Sequence, residues 1–127
     1  MLKKMFVADL YLKVRKNQFE VKNLTENGAW KIATPEQPFT TDRLLVGQFS
    51  AAEPVLKELV KDVMPSGFMK KSAQIIIHPI DMVEGGLCEV EERIFTELGL
   101  CAGAFKVKLH VGEGLTDEEA RKLLQVG

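Results

Sequence analysis

The sequence predicts an α/β (or α+β) fold, in which one mixed sheet of five strands has helices mainly on one face and the elements follow the order βββαβαβα. Three observations carry this prediction. Alternating apolar and polar residues fill the first third of the chain, amphipathic helical stretches follow, and the β-branched run 75–77 lies between two of them. Such a run is typical of a central strand that is covered on both faces. The length of 127 residues predicts a single domain, 1–127.

The first third of the chain predicts an antiparallel meander of three short strands. Residues 5–15 and 19–23 alternate between apolar and polar side chains and are separated by a polar break. Asn27-Gly28 is the strongest short turn signal, and a third strand is expected at 29–33. Trp30, the only tryptophan, is interpreted as a core residue of this strand.

Two stretches have the spacing of a capping box, in which the hydroxyl of the N-cap residue pairs with a carboxylate residue three positions later and marks a helix start. Ser50 and Glu53 predict a helix that begins between Ser50 and Pro54, with an apolar stripe from 55 to 64. Thr116 and Glu119 predict a short terminal helix.

The stretch 72–111 predicts a βαβ unit. Its helix is expected over 89–98, with Val90, Ile94 and Leu98 on one buried face and with Gly99 and Gly103 as C-terminal stops. The second strand is expected over 105–111. A crossover of this kind is right-handed and pairs its two strands in parallel.

Composition narrows the classes of partner and location. The 17 Lys and Arg residues balance 18 Asp and Glu residues, so a nucleic-acid partner is not favoured. No apolar stretch approaches the roughly 18 residues that a membrane span needs, and Asp9 and Lys13 interrupt the apolar start before it resembles a signal peptide. We therefore expect a cytoplasmic protein without a membrane span.

Cys88 and Cys101 bracket the predicted helix, and a helix of this length holds them too far apart to form a disulfide. We therefore expect two reduced, mostly buried thiols.

Four of the five predicted strands have a polar face, which suggests that one side of the sheet is open. A solvated face is the plainer interpretation of these charges, and a partner surface is the alternative. The side chains expected on this side are Tyr11, Lys13, Arg15, Lys106, Lys108 and His110.

No catalytic motif is present: the sequence lacks Walker, G-x-G-x-x-G, C-x-x-C, H-E-x-x-H and G-x-S-x-G patterns. His78 and His110 lie at the carboxyl ends of predicted strands, where parallel sheets bind ligands. Together with Asp81 and Glu84 they could form a strand-end pocket for a small ligand or a metal ion. Two ordinary strand-end histidines are the plainer interpretation, and the sequence assigns neither a catalytic residue nor a metal site.

Several stretches resemble the amino-terminal half-domain of MreB, the rod shape-determining family of actin-like ATPases. They cover most of the chain in gapped form and keep the family's order. The similar stretches are MLKK with a strand ending at Asp9, YLKVRKNQFEVKNL at 11–24, VLKELVKDVMPSGFM at 55–69, EVEERIF at 89–95 and AGAFKV at 102–107. The resemblance implies a ribonuclease-H-like, actin-like half-domain.

The chain departs from that family where the family binds nucleotide. Asp9 runs directly into Leu10 with no glycine-threonine phosphate loop, and His110-Val111-Gly112 stands where the family has an acidic residue. The second phosphate loop and the second half-domain are not present in the sequence. Asp9 is thus the only nucleotide-site residue that the resemblance carries over, and no cofactor is expected.

These observations predict a non-catalytic actin-like half-domain that serves as a protein-interaction or accessory module, linked to cell shape or to self-association. Its partner would be another protein or a second copy of the chain. The alternative is a small ligand-binding or metal-binding domain, or an enzyme, that uses the strand-end pocket. A nucleic-acid binder that uses the lysine-rich face is the weakest hypothesis.

Overall fold

The computed structural model describes residues 7–26, 28–64 and 73–126. Within them the chain has an α+β fold, and the predicted five-stranded mixed sheet and three helices are confirmed. The elements are β1 (Ala8–Arg15), β2 (Gln18–Asn23), β3 (Lys31–Ala33), α1 (Phe49–Val63), β4 (Ala73–Pro79), α2 (Glu89–Cys101), β5 (Ala104–Leu109) and α3 (Asp117–Gln125).

The strands lie in the order β3-β2-β1-β4-β5. The first three strands form the predicted antiparallel meander, and β1 pairs in parallel with β4, which pairs in parallel with β5. The parallel pairing expected of the βαβ unit is therefore confirmed. Asn27, half of the predicted turn signal, lies outside the described residues.

Helices cover both faces of the sheet. Helices α1 and α2 pack on one face over a large core that includes Leu10, Leu12 and Ile75. Helix α3 packs on the other face, where Ala120 and Leu124 are buried. The prediction of an open side is therefore wrong over this region, since the apolar stripe of α3 closes it. The residues buried under α3 include Tyr11, Leu24 and Ile76.

Helix α1 begins one residue before the predicted capping box. Gln48 precedes it, no side chain caps it, and Pro54 lies in its second turn. The Ser50–Glu53 capping box is therefore wrong. The backbone sets this start, because the N–H of Gln48 donates to the carbonyl oxygen of Phe39 at 2.9 Å and fixes the chain just before the helix.

Helix α2 runs through Gly99, which was expected to end it. Gly99 is buried, and a Cβ atom built there would lie 2.7 Å from Cγ2 of Val107 on β5. This glycine therefore allows close packing of α2 on the sheet. Gly103, at a φ of +114°, follows the helix as predicted. The Thr116–Glu119 capping box of α3 is confirmed.

The edge strand β5 contains a bulge. Ala73 pairs with Ala104 and Gln74 pairs with Lys106, so Phe105 is an additional residue. Phe105 is left unpaired in the ladder and is 48% exposed. Bulges and lysines on an edge strand hinder pairing with another chain.

Candidate functional site

Two features of the structure bear on function, and they lie on opposite faces of the sheet. The first is the strand-end cluster, formed by Tyr11, His78 and His110. Adjacent parallel strands place these residues on the α3 side: Lys13 of β1 pairs with His78 of β4, and the N–H of His110 donates to the carbonyl oxygen of Ile77. Tyr11 and His78 are 0% and 1% exposed.

Hydrogen bonds fix the tautomer of His78. Nε2 lies 2.9 Å from the carbonyl oxygen of Gly112, which can only accept, so Nε2 carries the proton. Nδ1 therefore accepts from the Tyr11 hydroxyl at 2.9 Å. The hydroxyl oxygen in turn accepts from the N–H of Leu115 at 3.1 Å. The cluster thus ties the connection between β5 and α3 to the centre of the sheet at two points.

Burial and neighbouring charges favour the neutral forms of His78 and Tyr11. Desolvation lowers the pKa of His78 from 6.5, and positive charge on His110, Lys13 and Arg15 lowers it further, against an opposing effect of the bond to Gly112. Desolvation likewise raises the pKa of Tyr11 above 10.0.

The structure assembles only part of the predicted strand-end pocket. The rings of His78 and His110 lie 4.7 Å apart between centroids, edge to face. Nε2 of His110 donates to the carbonyl oxygen of Glu113 at 2.8 Å. Asp81 instead accepts from the N–H of Lys16 at 2.8 Å, and Glu84 is exposed on the loop after β4. No group of three or more His, Cys, Asp or Glu residues is placed to hold a metal ion in the described part of the chain.

Asp9 lies near the amino end of β1, two residues before Tyr11 of the strand-end cluster, and its hydrogen bonds go to other partners. The strand continues past Asp9 to Arg15, as the alternation over 5–15 predicts, and does not end at Asp9 as the resemblance implies. Oδ1 of Asp9 accepts from Nε2 of Gln74 at 3.0 Å, and its backbone N–H donates to Oγ1 of Thr25 at 2.8 Å. Asp9 therefore joins neighbouring strands and is not at the carboxyl end of β1.

The polar residues predicted on the open side have separate roles. Tyr11 is buried under α3, so it cannot present an interaction surface. Lys13 lies over the Trp30 ring with Nζ 4.8 Å from the centroid, and Nε of Arg15 is 3.0 Å from a carboxylate oxygen of Glu20. Trp30 itself is only part-buried, just before β3, with its ring edge-on to Tyr11 at 5.2 Å.

The two remaining lysines of the predicted face lie on β5. Nζ of Lys106 donates to the carbonyl oxygen of Leu124 at 2.7 Å, near the carboxyl end of α3. Lys108 makes no hydrogen bond or ion pair with the described residues.

The two cysteines are free thiols, as predicted, but they differ in exposure. Cys88 is exposed because it lies at the start of α2, where its backbone N–H donates to a carboxylate oxygen of Glu91 at 3.0 Å. Cys101 is part-buried, and burial together with the nearby Glu53 carboxylate raises the pKa of its thiol above 9.0.

The second feature is an open groove of about 1020 Å³ beside α2, which we call the α2 groove. Its apolar surface comes from Phe49 at the start of α1 and from Val90 and Ile94. Val90 is 60% exposed, contrary to its predicted place in a buried stripe, because α2 instead buries Phe95 and Leu98. The other lining residues are Glu89, Glu92, Arg93, Thr96 and Glu97.

The charge of the α2 groove is negative, since three carboxylates line it with one guanidinium. Sequence reasoning missed this site because Val90 has helical spacing with Ile94 and Leu98. One signal was available: the buried side of α2 is centred on Phe95 and Leu98, so Val90, five residues before Phe95, falls toward its flank.

Taken together, the chain is an α+β protein built on a five-stranded mixed sheet, with a buried histidine cluster on one face and an acidic apolar groove on the other. It is 36% identical over 104 residues to the Escherichia coli (strain K12) protein described as uncharacterized protein YjaA, an alignment that covers 78% of each chain. The chain belongs to the same family as YjaA. No protein-family model matches it, and no helix among the described residues is long and apolar enough to cross a membrane.

Proposed function

We propose that this protein is a non-catalytic interaction module that binds a basic amphipathic helix of a partner protein in the α2 groove. The observation that carries the proposal is the exposed Val90 beside Phe49 and Ile94, in a groove lined by carboxylates. An exposed apolar patch with a polar rim is typical of a protein-interaction site.

The charge and the shape of the α2 groove both favour a basic helix as the partner. Three carboxylates against one guanidinium favour lysine and arginine on the partner. The apolar groove suits the side chains that an amphipathic helix presents at positions i, i+3, i+4 and i+7. A second copy of the chain bound through the same groove would oppose carboxylates to carboxylates, so symmetric self-association through this surface is disfavoured.

We further propose that the sheet has the ribonuclease-H-like arrangement implied by the sequence resemblance. The strand order β3-β2-β1-β4-β5, with an antiparallel meander and two parallel pairings, supports this relationship. The link to cell shape rests on the sequence resemblance. It predicts that the purified protein co-sediments with MreB filaments, and the protein remaining in the supernatant would contradict that link.

The interaction proposal is tested with a fluorescein-labelled helical peptide of about 18 residues, long enough for five turns, in which leucines at i, i+3, i+4 and i+7 alternate with lysines. Fluorescence anisotropy should show saturable binding that weakens as salt is added. Val90→Ser should weaken binding at least about tenfold, because it removes the exposed apolar side chain from the groove without changing the charge.

The matched control is Val126→Ser, which changes a valine of nearly the same exposure, 61% against 60%, outside the groove. It should bind the peptide like the unchanged protein. A peptide with glutamates in place of the lysines should not bind. Equal binding by both valine variants, or equal binding of the lysine and glutamate peptides, would overturn the proposal.

A further inference from the structure

The strand-end cluster holds α3 against the sheet through a titratable group that lies on the face opposite the α2 groove. The β5–α3 connection contributes the carbonyl oxygen of Gly112 and the N–H of Leu115, and both are bonded to the cluster. His78 is 1% exposed and receives its hydroxyl hydrogen bond on the only nitrogen that can take up a proton.

We propose that the Tyr11–His78 contact is an acid-sensitive latch, and that protonation of His78 releases α3 from the sheet. The released segment comprises the connection after His110 and helix α3 itself. Its release uncovers the apolar residues Leu24 and Ile76, which α3 otherwise buries. The inference is independent of the proposed partner of the α2 groove.

Protonation breaks the latch because it reverses a donor and acceptor. Nδ1 accepts from the Tyr11 hydroxyl in the neutral ring, but in the imidazolium both nitrogens donate. The Tyr11 hydroxyl would then lose the acceptor for its hydrogen. It is buried, and its oxygen already accepts from the N–H of Leu115. An unpaired buried donor is costly, so opening of the connection becomes easier.

The charges around His78 act in the same direction. Lys13 and Arg15 of β1 and His110 of β5 all disfavour a positive ring. On the α2 side of the sheet β4 presents isoleucines. Two carboxylates of neighbouring elements have other partners: Glu20 of β2 pairs with Arg15, and Glu119 of α3 accepts from the N–H of Thr116.

The direction of the pH dependence follows from these contacts. The pKa of His78 is lowered from 6.5 when α3 is in place, so the opened form takes up the proton more readily. The latch is fully effective above about pH 6.5 and is lost as the pH falls through the lowered pKa of the closed form.

Hydrogen exchange followed by mass spectrometry tests the proposal between about pH 5.5 and pH 7.5, where ordinary carboxylates stay charged. After correction for intrinsic rates, amides of α3 should exchange up to about tenfold faster at the lower pH. Amides of α1 should not change. Emission of Trp30, whose ring lies 5.2 Å from that of Tyr11, should shift over the same range.

Because the chain has two histidines, each can be tested separately. In His78→Asn, the amide oxygen can accept from Tyr11 but cannot titrate, so the pH dependence should disappear. His110→Asn should retain it. If His78→Asn does not fold, NMR titration of the imidazoles, assigned with His110→Asn, should give His78 the same midpoint as the exchange of α3.

Three results would each overturn the latch. These are exchange of α3 that is independent of pH in the unchanged protein, a pH dependence that survives in His78→Asn, and one that disappears in His110→Asn. A His78 imidazole midpoint that differs from the midpoint of α3 exchange would also overturn it.

Discussion

Asn17 holds the β1–β2 hairpin against the loop that leads into α1. Its φ of +52° lies in the left-handed region, which asparagine tolerates better than most residues. Its Oδ1 accepts the N–H groups of both Phe39 and Thr40 at 2.9 Å. One residue therefore serves a tight turn and orders a distant loop.

Two substitutions separate these contributions of Asn17. Asn17→Gly removes both hydrogen bonds but keeps the backbone conformation, and it should lower the free energy of unfolding by about 1–3 kcal/mol. Asn17→Ala should cost about 1 kcal/mol more, because a Cβ atom disfavours a positive φ. Urea unfolding followed by circular dichroism measures both. Equal stability of the two variants would show that the backbone conformation contributes little.

Gly99 allows α2 to approach the sheet closely, because it has no side chain. A methyl group at this position would lie 2.7 Å from Val107 and 3.2 Å from Ile77. We expect Gly99→Ala to lower the free energy of unfolding by about 1–3 kcal/mol through overpacking, despite the better helix propensity of alanine. Thermal melting provides the measurement.

Gly114→Ala is the matched control, since no atom lies within 4 Å of an added Cβ there. It should leave the melting temperature nearly unchanged. If Gly99→Ala melts at the same temperature as this control, α2 can shift outward at little cost.

At the residue level, the sequence predicted pairings that are local and missed those that depend on a distant element. The Thr116–Glu119 capping box could be predicted because both partners lie in one turn. The burial of Tyr11 could not, because it depends on α3, which lies more than 100 residues later. The proximity of His78 and His110 could be predicted, because parallel strands end at the same edge of a sheet. The position of Asp81 could not, because its carboxylate accepts from the backbone N–H of Lys16 in the β1–β2 hairpin.

Among the elements, α3 is held at both ends by side-chain contacts from the sheet. Besides the strand-end cluster, Nζ of Lys106 donates to the carbonyl oxygens of Leu124 and Val126. A cation at the carboxyl end of a helix also compensates its dipole. Lys22 pairs with Asp117 at the opposite end of the helix at 3.0 Å.

Lys106→Met, which keeps much of the aliphatic chain, should destabilise the attachment of α3 by about 0.5–1.5 kcal/mol. Hydrogen exchange of α3 amides at neutral pH reports this change directly. Lys108→Met, on the same face of β5, is the control because Lys108 has no polar partner in the described part of the chain. Faster exchange in both variants alike would assign the effect to general loss of charge.

The predicted strands and helices follow from hydrophobic periodicity, but the face that each helix covers does not. Helix α1 shows one apolar stripe and the structure uses it, burying Leu56, Leu59 and Val60. The alternation in β5 predicted a polar, open face, because a lysine at position 106 is typical of a side chain exposed to solvent. In the structure the lysine stem lies beside α3 and its ammonium group reaches the helix end, so a charged residue occupies a covered position.

A single sheet separates the α2 groove from the latch. The α2 groove is on the side of α1 and α2, and the latch is on the side of α3. Because the latch binds α3 and leaves α1 and α2 in place, acidification should not alter peptide binding in the groove. The two proposals can therefore fail separately.

The position of β1 in the sheet has a consequence for synthesis of the protein. This central strand leaves the ribosome before the other four strands of the sheet, but its parallel partner follows 65 residues later, as the pairing of Asp9 with Gln74 shows. At about 5–20 residues per second, one side of β1 waits about 3–13 s for β4. During that interval one edge of this apolar strand leaves its backbone N–H and C=O groups unpaired, which makes the nascent chain prone to pairing with another chain.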